Sequence, residues 1–113
     1  MGRFVTVAKV ADVAPGAARS VEAEGFGIAL FNVEGRIFAL DNTCPHAGGP
    51  LGEGQLQGGV VRCPWHGWRF SVVTGERPEN PAFKVGCYQV EVEGDEVRVW
   101  LPPDFAEGGL SPA

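Results

Sequence analysis

The sequence predicts an all-β protein, an antiparallel β-sandwich carrying an inserted, loop-rich subdomain. Three observations lead there. Apolar and β-branched residues occur in short runs separated by turn formers. The 113 residues include 17 Gly and 9 Pro, scattered rather than repeated, as many turns between short strands require. No stretch has the periodicity of an amphipathic helix. The length fits one domain, and a hydrophobic content of 44% supports an ordinary core.

Residues 3–10 are apolar and β-branched and read as the first strand, with 12–16 (DVAPG) as the turn after it. Residues 18–22 form a short strand and 26–33 a stronger one. Glu34-Gly35 closes that strand and 36–41 returns, which makes 26–41 a β-hairpin. Both arms are apolar on both faces, so the hairpin is expected in a central, buried position. From Asn42 onward Gly, Pro, Asn and Gln dominate. Within that stretch 60–62 and 69–73 are brief strands, and 77–81 (RPENP) is a rigid loop bounded by prolines. Alternation returns in 88–93 and 96–100, where Val90, Val92, Val97 and Val99 interleave with polar residues around a Gly94-Asp95 turn. That pattern predicts a half-exposed antiparallel hairpin. The base is therefore expected from 1–41 and 83–101, the inserted subdomain from 42–82, and a flexible tail from 102–113.

Chemistry concentrates in two segments of the insertion. Cys44-Pro45-His46 spells C-x-H, and Cys63-Pro64-Trp65-His66 spells C-x-x-H, with 16 residues between them. Each half offers one thiolate and one imidazole among glycines and prolines, so two loops can clamp a metal centre. Thiolates are soft ligands suited to iron–sulfur clusters, and imidazole suits iron as well. The competing reading is a structural Cys2His2 zinc site. Zinc modules commonly pair Cys with Cys and His with His, whereas here each loop mixes the two, which favours a diiron cluster.

These two loops resemble the Rieske pattern, in which two Cys hold one iron of a [2Fe–2S] cluster and two His hold the other. The resemblance extends over nearly the whole chain and implies a Rieske-like sandwich whose inserted subdomain binds the cluster. It implies Cys44 and Cys63 on the inner iron and His46 and His66 on the outer one. Gly48, Gly49 and Gly67 would let backbone N–H groups approach the sulfides, Trp65 and Trp68 would shield the cluster while filling the small core, and Pro81 would belong to a covering loop. The respiratory-complex version of the motif has a disulfide between the loops, where this chain has Gly49 and Trp65. It also has Ser and Tyr hydroxyls aimed at sulfur, where this chain has Trp68 and Phe70. Fewer donors leave the added electron less stabilised, so the expected potential is near the low end of the Rieske range of about −150 to +300 mV.

Such a protein is expected to be a soluble one-electron carrier, taking electrons from a flavoprotein reductase and giving them to a terminal oxygenase or another acceptor. With two histidines in the chain, none remains for the separate mononuclear iron of an oxygenase, which points to electron transfer without catalysis. The alternatives are a small subunit of a nitrite-reductase-type enzyme and, from a different class, a zinc-binding module without redox chemistry.

The formal net charge of −5 disfavours nucleic acid as a partner. It either keeps the protein soluble or steers a basic partner. No signal peptide or membrane span is evident, which predicts a cytoplasmic location. If Cys44 and Cys63 bind metal, Cys87 is left without a disulfide partner, and it reads as a small buried hydrophobe. Trp100 reads as packing, and Glu91, Glu93, Asp95 and Glu96 as a solvated turn.

Overall fold

A computed structural model describes residues 2–44, 48–65 and 67–102. The chain runs β1 (Arg3–Lys9), a 3-10 turn (Val10–Asp12), β2 (Ala18–Ala23), β3 (Phe26–Val33), β4 (Arg36–Asp41), a second 3-10 turn (Leu51–Glu53), β5 (Gln55–Gln57) and β6 (Val60–Arg62). It continues through β7 (Arg69–Ser71), β8 (Glu76–Arg77), β9 (Asn80–Lys84), β10 (Cys87–Tyr88), β11 (Val90–Glu93) and β12 (Glu96–Leu101). The described residues contain no α-helix, and no helix among them is long and apolar enough to cross a membrane. The strands form antiparallel sheets in the orders β1-β12-β11, β10-β4-β3-β2 and β5-β6-β7, with β8-β9 as a separate ribbon.

The β3–β4 hairpin is the wall between two cores, and alternation along β3 explains how. Ile28 and Leu30 face Val13, Ala39, Val97, Val99 and Leu101, where the first two sheets meet. Ala29 and Phe31 face the other way, toward Leu51, Val61, Phe70, Val72, Val85 and both Cys44 and Cys63. Both faces of β3 are therefore apolar because both are covered. The β3–β4 turn has Glu34 and Gly35 at φ of 52° and 94°, the two positive values of a type I′ hairpin. Glu24 and Gly25, at 52° and 89°, repeat it between β2 and β3.

Several expectations are corrected. Residues 77–81 are a hairpin rather than an open loop: only Pro78 and Glu79 form the turn, and β8 and β9 pair on either side of it, with Arg77 opposite Asn80 and Glu76 opposite Lys84. Pro81 falls in the irregular part of that register, where its missing N–H breaks no ladder bond. The strand expected at 69–73 stops at Ser71, and a strand was not foreseen at Gln55–Gln57. The run at 88–93 divides between sheets, since Tyr88 pairs with Ala39 while Val90 pairs with Val99. Val92 is exposed on the edge strand β11, although Val97 and Val99 are buried as expected. Cys87 is exposed rather than buried, since its short strand lies at the edge of its sheet. Of the 102–113 tail, residues 103–113 lie outside the described residues.

Candidate metal centre

Both cysteines start hairpin tips. In the first, Leu51 N–H bonds to Asn42 C=O (2.7 Å), Thr43 bridges Pro50, and Cys44 N–H closes on Gly49 C=O (2.9 Å). Gly48 then turns its N–H back onto Cys44 C=O (2.8 Å). In the second, the β6–β7 ladder pairs Arg62 with Arg69 and extends one step, with Cys63 N–H on Trp68 C=O (2.7 Å). Gly48 and Gly67 occupy the same place in the two tips and have φ of 81° and 76°. A side chain there would be strained by its own backbone.

The tips bring the two thiols together inside the apolar core. Cys44 is 1% exposed and Cys63 2%, and neither is in a disulfide. Burial pushes the Cys63 thiol up, and the Cys44 thiol beside it pushes the same way. Backbone N–H groups of Trp65 and Gly49 aim at the Cys63 sulfur and pull in the opposite direction. Two facing thiols with amide donors already pointed at one sulfur suit a soft metal, whose binding displaces the thiol protons. The donor set therefore fits an iron–sulfur group.

Gly49 sets how closely the tips approach. A Cβ on it would stand 2.8 Å from Trp65 Cγ and 3.0 Å from Cys63 Sγ. Trp65 thus lies against the first tip's backbone, yet it is 51% exposed overall, so it both packs and faces solvent. Trp68 is packed among Phe70, Phe83 at 5.2 Å edge-on, and Arg77, whose guanidinium carbon stands 3.8 Å from its ring centre. Phe70 is fully buried and Pro81 is exposed on β9. His46 and His66 lie outside the described residues, with Pro45 and Ala47.

Sequence reasoning missed two supports. Asn42 Oδ1 accepts from Gly52 N–H (2.7 Å) and Ser20 Oγ (3.2 Å), tying the first tip to β2. Its place two residues before Cys44 was the only available signal, since its donors come from distant segments. Arg77 reaches Trp68 from the β8–β9 ribbon, whose two prolines have the local signature of a loop.

Comparison with known proteins agrees with this geometry. The family model for the Rieske [2Fe-2S] domain matches residues 3–100. The ferredoxin component of the naphthalene 1,2-dioxygenase system of Pseudomonas putida is 33% identical, covering 88% of this chain and 96% of its own. A structure described as a complex of reduced oxygenase and oxidized ferredoxin in carbazole 1,9a-dioxygenase contains a chain 36% identical, with a TM-score of 0.77, covering 85% of this chain and 91% of that one. Apoptosis-inducing factor 3 of Mus musculus is 38% identical over 83% of this chain, which spans only 16% of that protein's length.

Proposed function

The chain belongs to the Rieske [2Fe-2S] domain family, and from that premise we propose that it is the ferredoxin of an oxygenase system, a soluble cytoplasmic one-electron carrier between a flavoprotein reductase and a terminal oxygenase. The observation that carries this reading is the pair of buried, unbridged thiols presented by two hairpin tips, in a chain similar to ferredoxin components over nearly its full length. Cys44, His46, Cys63 and His66 would hold the cluster, with 42–82 as the unit that binds it and 1–41 with 83–101 as its base. When bound, the cluster supplies a reversible one-electron step.

The chain's own residues set the conditions for that step. The core around Cys44 and Cys63 keeps water from the sulfur side. The Gly49 and Trp65 amides donate to a sulfur that becomes more negative on reduction. Trp68 and Phe70 contribute no hydroxyl. A redox titration of the purified protein should give a midpoint of about −150 mV, and one above about +100 mV would contradict this account. Partner contacts are expected to be small and short-lived. A relay subunit of a nitrite-reductase-type enzyme would instead copurify with a large catalytic chain, and a zinc module would be colourless.

A further inference from the structure

We propose that Arg77 is a fixed positive charge that raises the reduction potential of the neighbouring cluster site. The inference rests on the functional reading above and deepens it. Arg77 lies on β8 with its guanidinium carbon 3.8 Å from the centre of the Trp68 ring. The Trp68 carbonyl is bonded to the Cys63 N–H at 2.7 Å. The cation is thus held one tryptophan away from a buried cysteine. Phe83, on the paired strand β9, meets the same ring edge-on and completes the seat.

The charge is poorly neutralised. The Arg77 side chain is 23% exposed, and its Nε is buried without a hydrogen-bond partner among the described residues. Its paired carboxylate among the described residues, Glu79, stays 3.7 Å from that Nε. Glu79 is already engaged by Arg69, which donates to it through Nε (2.8 Å) and a second guanidinium nitrogen. A half-buried cation whose paired carboxylate is shared with another arginine is screened less by water than an exposed one, so more of its field acts within the protein. Reduction adds one electron and one negative charge to the ligated centre, and no bond forms or breaks. A nearby cation stabilises that extra charge. Trp68 occupies the place where another version of the motif has a hydroxyl donor, and here it provides the ring on which a charge is seated instead.

The test is a potentiometric titration of the iron-loaded protein with dithionite as reductant, with visible and EPR spectra verifying an intact cluster. Arg77→Gln keeps the stacking surface without the charge, and its midpoint should move negative. Arg77→Lys should recover most of the shift. Glu79→Gln should move the midpoint positive, because it removes the partial counter-charge. Arg98→Gln, on the distant strand β12, should leave it unchanged. An Arg77→Gln midpoint equal to wild type overturns the proposal. If that variant takes up no iron, Glu79→Gln decides, and a midpoint equal to wild type overturns it equally. A wild-type protein that binds no iron overturns the functional reading itself, which is a separate result.

Discussion

The tips 44–49 and 63–68 each begin with a buried cysteine, turn through a glycine at positive φ, and close the cysteine's N–H on a carbonyl one residue further on. They differ at the closing residue. In the first tip it is Gly49, pressed against Trp65 and the Cys63 sulfur; in the second it is Trp68, packed into an aromatic and cationic cluster. The supports differ too. Asn42 ties the first tip to β2 through hydrogen bonds, whereas the second is held by rings and Arg77. One backbone plan thus serves two cysteine loops because the small residue of one makes room for the large residues of the other. The loops are clasped by a ring on a glycine, at positions where a disulfide serves in the respiratory version.

The largest expected effect breaks both tips at once. Cys44→Ala and Cys63→Ala should each reduce iron from about two atoms per chain to near zero. If one of them retained full iron, the tips would not be equivalent. Next comes the closing position. Gly49→Ala should cost about 1–3 kcal/mol through overpacking, read from thermal or denaturant melts of the loaded protein. Adding Trp65→Ala should restore part of that loss, while Trp65→Ala in a chain with Gly49 intact should not stabilise it. Asn42→Ala loosens the first tip alone, leaving Gly52 N–H without its acceptor, and should cost about 1–2 kcal/mol. The smallest effect concerns the second tip's surroundings. Arg69 holds the Glu79 carboxyl below its usual range. A lowered folded pKa means that stability is present above the ordinary carboxylate range and lost as pH falls through the folded value. Trp68 fluorescence should therefore change only on acidification below that range, and Glu79→Gln should remove the transition.

Much of this was legible because it is written locally. The 26–41 hairpin carries its apolar runs and its Glu-Gly turn in one stretch, and the cysteine and histidine spacing is contiguous in each loop. What escaped depends on partners far apart in sequence. Glu24-Gly25 carries the same turn signature as Glu34-Gly35, but the weak apolar pattern of 18–23 hid the first hairpin. Pro78 and Pro81 suggested a loop, since sequence does not reveal a two-stranded ribbon where an unpaired N–H costs nothing. Cys87 and Val92 have side chains suited to a core, yet they sit on edge strands and are exposed among the described residues. The seating of Arg77 on Trp68 joins β8 to the end of the second tip and has no periodic trace in the sequence.

Pulsed EPR of the dithionite-reduced protein, prepared with 15N-labelled histidine, tests the ligand set most directly. Two strongly coupled imidazole nitrogens, assigned to His46 and His66 by their loss on replacement of either, are the expected result. A cluster whose spectrum is unchanged by the label, as thiolate or oxygen ligands in place of the imidazoles would give, would contradict it.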